Sequence, residues 1–225
     1  IVVVGVFIGI QVANWNDARA DRGQAADLMT RIVSEATTAR SEMSLYIEMH
    51  QGISDDAARF ALALRDKESC MAMGDELTIL IISIADFPPP RFSLANAEQA
   101  LNTGSLSLIR STSIRANIQT MTDEMGFVDR QWQRYIRVKQ DANREAQRVA
   151  GVSLTGRSEI VVVPMGGYDP GSYELLTPGK ICGNTEIIGL AANVAVLQAI
   201  YVDYLGQVER ALDDYLATLS EETST

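Results

Sequence analysis

LMTRIVSEATTARSEMSLYIEMHQGISDDAARFALAL, residues 28–64, decides the fold. Leu28, Ile32, Ala36, Ala39, Met43, Tyr46, His50, Ile53, Ala57, Phe60 and Leu64 recur at alternating steps of four and three. A repeat near 3.5 residues keeps one seam of a helix facing its partner and implies nearly parallel, left-handed packing. Two further segments carry the same spacing. One is Ile114, Ile118, Met121, Met125, Val128, Trp132, Tyr135; the other is Ile187, Leu190, Val194, Leu197, Tyr201, Tyr204, Val208, Ala211, Tyr215. At 1.5 Å per residue, a helix from Asp17 to Arg65 is roughly 70 Å long, several times the usual globular helix. The sequence therefore predicts a mainly α protein, an elongated antiparallel helical bundle of coiled-coil character.

Working outward, Asp75 caps a helix that the prolines Pro88–Pro90 must stop, although the β-branched run Thr78–Ile84 also reads as a strand. Ser93 opens a helix ended by Gly104, and Ser111 or Thr112 caps the second long helix, which lasts to Ala150. The stretch that follows has strand composition on both sides of a Gly/Asp/Pro turn. It predicts one small β-hairpin insertion near 159–182, pairing Glu159–Val163 with Tyr173–Leu176. Residues 17–220 form the extramembrane bundle, and 221–225 a frayed polar tail.

Upstream lies IVVVGVFIGIQVANWND, residues 1–17, an unbroken apolar run ending at a tryptophan. A buried strand and a signal peptide are alternatives. Trp15 between Asn14 and Asn16 suits the membrane–water boundary, and no turn residue reverses the chain before the charged helical pattern. Residues 1–16 are read as the C-terminal part of a transmembrane helix, in a chain that is a fragment of a longer one. Gly5 and Gly9 form a G-x-x-x-G pair through which two membrane helices can approach closely.

Charge and composition exclude several functions. The 225 residues carry 19 basic and 29 acidic side chains, a net charge of −10, with no basic stripe, so nucleic acid is not an expected partner. The same charge opposes lying flat on anionic lipid, so membrane contact must come from insertion. Cys70 and Cys182 lack metal-ligand spacing and His50 is the single histidine, so no metal is expected. In an oxidising compartment the two cysteines can pair; in a reducing one they are separate buried thiols. His50, on the first seam, is either a pH-sensitive register device or a bundle-end histidine with its ring partly wet, and the second reading is preferred. No nucleophile elbow, P-loop, metalloprotease or dinucleotide motif occurs, and Asp55/Asp56 and Asp213/Asp214 each point two ways around a helix. No catalytic residue and no cofactor is expected.

With VVVGVFIGIQVANWND followed by Arg19, and LNTGSLSLIRSTSIR in the middle of the chain, the sequence resembles an uncharacterised family of bacterial membrane proteins. That family has a single N-terminal transmembrane helix ending in an Asn-Trp-Asn motif. The matching residues are Asn14, Trp15, Asn16 and Arg19, then Gly104, Leu106, Leu108, Ile109 and Arg115. The resemblance implies single-pass topology in the bacterial inner membrane, with a basic N-terminal segment in the cytoplasm and the bundle in the periplasm. The second motif reads physically as a tight join: Gly104 ends a helix and Arg115 reaches back to preceding carbonyls. The functional expectation is a membrane-anchored interaction protein, an accessory or scaffold subunit. Its partners are membrane lipid and other membrane subunits or itself. A periplasmic ligand-sensing bundle is the alternative.

Overall fold

The protein, seen here as a computed structural model, is described over residues 2–85, 88–89, 92–154 and 173–223. It is mainly helical. Among the described residues, six α-helices follow in chain order: α1 (Val2–Ala63), α2 (Lys67–Ala72), α3 (Asp75–Ala85), α4 (Ala95–Thr103), α5 (Thr112–Ala150) and α6 (Thr185–Thr223). Two three-residue strands, β1 (Val152–Leu154) and β2 (Tyr173–Leu175), pair antiparallel with Ser153 opposite Glu174.

The chain divides into two compact units, and the three long helices contribute to both. Unit 1 holds residues 1–43, 92–125 and 208–225; unit 2 holds 44–91 and 126–207.

In unit 2, α6 runs antiparallel to α1 and α5. His50 meets Gln198 while the Leu64 carbonyl accepts from the Gly183 amide, 2.8 Å away. Against α5, Phe127 meets Tyr204 and Lys139 meets Gln198. The first and second long helices therefore run the same way here, because α2 and α3 occupy the return between them. The core is a contiguous apolar cluster from Ala57, Phe60 and Leu64 through Leu77, Leu80 and Ile81 to Ala142, Ala146, Ile187 and Val194. Cys70 and Cys182 are joined in a disulfide within it, with Cα atoms 5.7 Å apart. α2 was not foreseen. Its signal is Asp66, whose carboxylate accepts the Ser69 amide at 2.9 Å as an N-cap.

In unit 1, Leu28, Ile32, Ala36, Ala39 and Met43 of α1 are buried, with Ile114, Ile118 and Met121 of α5 and Val208, Leu212 and Tyr215 of α6. Arg40 on α1 reaches Glu209 and Asp213 on α6. The join before α5 is built as a tight turn. Gly104 sits at φ +75, where only glycine is unstrained, and closes α4. A 3-10 turn over Ser105–Leu108 follows, Ile109 is buried, and Arg115 Nη1 donates to the carbonyls of Ile109 and Arg110. Ser111 Oγ accepts the Ile114 amide and caps α5.

Several expectations are corrected. The first seam is buried at every position named, and the third at six of its nine. Buried positions on α6 are Ile187, Ala191, Val194, Gln198, Tyr201, Leu205, Val208, Ala211, Leu212 and Tyr215. Ala191, Gln198 and Leu205 replace the larger Leu190, Leu197 and Tyr204, which are only half-buried. At Gln198 the reason is a polar cluster described below, in which its amide bonds His50 and Lys139. The β-branched run after Asp75 is helix α3, not strand. The hairpin is not seen as drawn: Glu159–Val163 lie outside the described residues, and the partner of Tyr173–Leu175 is Val152–Leu154. That pairing starts because Gly151, at φ +70, terminates α5 and turns the chain into a Val-Ser-Leu extension. α6 continues to Thr223, and the last two residues of the expected frayed tail lie outside the described residues.

The opening run is neither strand nor a separate element but the first turns of α1. A transmembrane span at residues 1–16 is not shown. Among the described residues, the helix long and apolar enough to cross a membrane is α6, over Thr185–Glu221.

Candidate functional site

The sequence pointed to three groups of residues, and the structure does not bring them together. Gly5 and Gly9 lie in the helical backbone of α1, with their surroundings outside the described residues. Asn14, Trp15 and Asn16 are exposed on the same helix. Trp15 is 57% exposed, and the Arg19 guanidinium, one turn on, lies 5.7 Å from its ring centroid. Cys70 and Cys182 are buried and bonded to each other in unit 2. Residues 10–24 of α1 are all exposed, and from residue 10 onward the first buried residue is Leu28.

What sequence reasoning missed is a buried polar cluster on the seams of unit 2. His50 (α1), Lys139 (α5) and Gln198 (α6) are each at most 2% exposed. Lys139 Nζ donates to Gln198 Oε1 at 3.4 Å, so the amide nitrogen of Gln198 faces the histidine and donates to Nδ1 at 2.7 Å. With Nδ1 accepting, the neutral ring carries its proton on Nε2. The same amide donates to the His50 carbonyl at 3.3 Å.

Aromatic rings enclose this triad. Tyr46 packs edge-on at 4.4 Å and Tyr201 at 5.1 Å, with Tyr135 against Tyr201 at 5.9 Å. Tyr46 donates its hydroxyl to the Pro88 carbonyl at 2.5 Å, which ties the end of the α3 segment to α1. Burial, with Lys139 nearby, pushes the His50 pKa down to about 3, against the pull of the Pro88 carbonyl. Burial likewise pushes the Tyr46 hydroxyl up. The ring expected to be partly wet is thus enclosed and neutral. The triad's chemistry is that of a lock: three polar groups at seam positions satisfy one another only in one register of α1, α5 and α6. A heptad seam interrupted by His50, Lys139 and Gln198 is the signal that could have found it.

Unit 1 carries two recesses. A cleft of about 620 Å³ runs between α1 and α4, lined by polar Gln24, Asp27, Arg31, Asn96, Gln99 and Thr103. Deeper in this unit, Glu35 of α1 caps α4 from a distance. Its carboxylate accepts the Asn96 amide at 2.9 Å and the Asn96 side-chain amide at 2.6 Å, replacing a local cap that Leu94 cannot provide. A second groove, of about 370 Å³, lies between α1 and the join preceding α5.

No family model, no curated protein and no solved structure matches the chain. The likeness to the single-pass family rests on the two motifs alone.

Proposed function

We propose that the chain is a membrane-anchored structural protein, its helical bundle serving as an accessory or scaffold surface for a larger inner-membrane assembly. The observation that carries this reading is the leading end of α1. One uninterrupted helix of 62 residues begins in an apolar run, leaves residues 10–24 exposed, and enters a packed core at Leu28. A helix without tertiary partners is marginal in water, and one bearing Ile10, Val12 and Trp15 on its surface gains by burying them elsewhere. Lipid provides that burial, with Trp15 and its asparagine neighbours at the boundary. α6 offers the competing span, but Tyr201, Leu205, Val208 and Tyr215 are fully buried in protein, and moving them into lipid would dismantle the packing they support.

The likeness to the single-pass family supports the orientation with the bundle in the periplasm, as does a disulfide, which an oxidising compartment maintains. The unit 1 cleft favours a second reading, a bundle that senses a small polar ligand.

Flotation on neutral phosphatidylcholine vesicles tests the anchor. The chain should rise with the vesicles, and Val6→Asp with Ile10→Asp should leave it at the bottom with its helical circular dichroism intact. A wild-type chain that stays at the bottom removes the anchor. An export-dependent reporter fused after Thr225 should be active; a silent one places the bundle in the cytoplasm. Extraction in mild detergent separates the two roles: co-purifying membrane subunits support the scaffold, a lone protein stabilised by a small molecule the sensor.

A further inference from the structure

We propose that the outward face of α6 pairs with the same face of a second copy of the chain, antiparallel, about a two-fold axis at the level of Gln198. The starting observation is a stretch without charge on the surface of a charged protein. Between Glu186 and Asp203, the run Ile187–Val202 contains no Asp, Glu, Lys or Arg. α6 is long and apolar enough for a membrane span, yet only 28% of its apolar window is buried. Its inner face is committed to the core through Val194, Gln198 and Tyr201. The outward face is apolar as well, with Val196 58% and Ile200 37% exposed. A continuous exposed apolar face of this kind marks an interaction surface.

That face carries a seam of its own. Val196 and Ile200 form its centre, flanked by Asn193 and Asp203, then by Gly189 and Gln207, then by Glu186 and Arg210. From Glu186 to Arg210 these positions step by three and four, the heptad spacing that seats one helix along another. Gln207 is half-buried and the others are exposed. A side chain at Gly189 would meet nothing within 4 Å, so the surface there is open. Asp203 accepts Gln207 Nε2 at 3.0 Å, and Glu186 acts electrostatically on Arg148 of α5; both contacts are exposed and leave lone pairs for a second partner.

Charge selects the occupant, its direction and its register. In a parallel pair, each seam residue faces its own counterpart, setting Glu186 against Glu186, Asp203 against Asp203 and Arg210 against Arg210. In the antiparallel pair, Val196 faces Ile200 of the second copy on both sides of the axis. Asn193 then faces Asp203 as a donor to its carboxylate, and Glu186 faces Arg210 as an ion pair. A shift of one heptad in one direction sets Ile200 against Asp203, and in the other Glu186 against Asp203. One arrangement alone joins apolar to apolar and opposite charge to opposite charge, which is how charged flanks fix register.

The pairing does not rest on the membrane anchor, but it has a consequence for it. In unit 2, α1 runs opposite to α6, so the two α1 helices enter the pair from opposite ends. Two anchored copies paired in this way belong to facing membranes and link them.

The test uses the whole chain in mild detergent, its mass read by size-exclusion chromatography with light scattering. At micromolar concentration the protein mass should be twice the 24.5 kDa of one chain. Val196→Asp with Ile200→Asp should halve it and leave the circular dichroism unchanged, since both side chains are outside the core. Glu186→Arg alone and Arg210→Glu alone should each shift the pair towards single copies, and the two together should restore it. A single-copy mass for the wild type, or a pair that survives the double Asp variant, overturns the proposal. Charge variants that leave the pair intact, or a double swap that fails to restore it, overturn the antiparallel register. A single copy that purifies with another membrane subunit gives the face to that subunit and overturns self-pairing. Flotation on neutral vesicles reads the anchor separately. A chain that floats as a single copy keeps the anchor and loses the pairing; one that pairs without floating does the reverse.

Discussion

Unit 2 and unit 1 are made from the same three long helices, yet they hold themselves together differently. Unit 2 is held by a disulfide, an apolar cluster reaching from Phe60 to Val194, and hydrogen-bonded polar groups on the seams. Unit 1 is held by interhelical ion pairs at Arg40 and a helix terminus capped by a carboxylate from another helix, and it carries two grooves. A repeating 4-3 seam specifies packing, but what is placed at and beside the seam decides what fastens it. The cleft of the ligand-sensing alternative falls in unit 1.

The disulfide should be the largest single difference between the units. Cys70 and Cys182 are separated by 112 positions, and closing such a loop restrains the unfolded chain by about 4 to 5 kcal/mol on the chain-entropy account. Cys70→Ser with Cys182→Ser should lower the urea midpoint strongly and loosen unit 2 first, seen as faster amide exchange around Phe60 and Leu80 than around Ile32 and Met121. Labelling of denatured, unreduced protein should find no free thiol. Two labelled thiols would remove the covalent distinction between the units and weaken the periplasmic orientation.

Acid should find unit 2 next. His50 titrates near 6.5 when unfolded and is held down to about 3 in the fold, so the native state excludes a proton that the unfolded chain takes up. Stability from this histidine is present above pH 6.5 and is lost as pH falls towards 3, by about 2 kcal/mol between pH 7 and pH 5. His50→Gln should flatten the slope over that range, at the cost of some stability at pH 7 because Gln198 loses its ring partner. A variant with the wild-type slope would mean that His50 is protonated in the fold and that the buried lock is misassigned.

The helices and most of their seams were legible in the sequence because apolar periodicity is a local signal. The buried positions of α1 from Leu28 to Leu64 fall where the spacing put them, and Gly104 and Arg115 build the turn their types suggested. Not every position of the α6 seam was legible, since choosing Gln198 over Leu197 for the inside requires knowing that His50 and Lys139 await it from two other helices. The two grooves were invisible for the same reason, being made by α1 together with residues far along the chain. Neither β1 nor the true partner of Tyr173–Leu175 was found, because a three-residue strand carries too little pattern to be distinguished from loop.

The smallest effect expected lies in unit 1, at Glu35. α4 begins at Ala95 behind Leu94, which has no side-chain acceptor, so its first amides would be unsatisfied were it not for a carboxylate contributed by α1. Replacing a good cap by alanine costs about 0.5 to 2 kcal/mol, and the accompanying macrodipole interaction is of the same modest size. Glu35→Ala should therefore lower global stability by about 1 kcal/mol. The loss should concentrate in the exchange of the Asn96 and Ala97 amides, both of which the carboxylate accepts. Glu35→Gln separates the two contributions, since its amide oxygen can still accept one hydrogen bond but carries no charge for the helix terminus; it should fall between wild type and alanine. Because α4 lines the larger cleft through Asn96, Gln99 and Thr103, loosening its start should also blunt any ligand stabilisation attributed to that cleft. A Glu35→Ala protein with unchanged exchange at Asn96 would show that α4 is held by the burial of Ala97 and Ala100 alone, and that this recess in unit 1 is as firmly set as the core of unit 2.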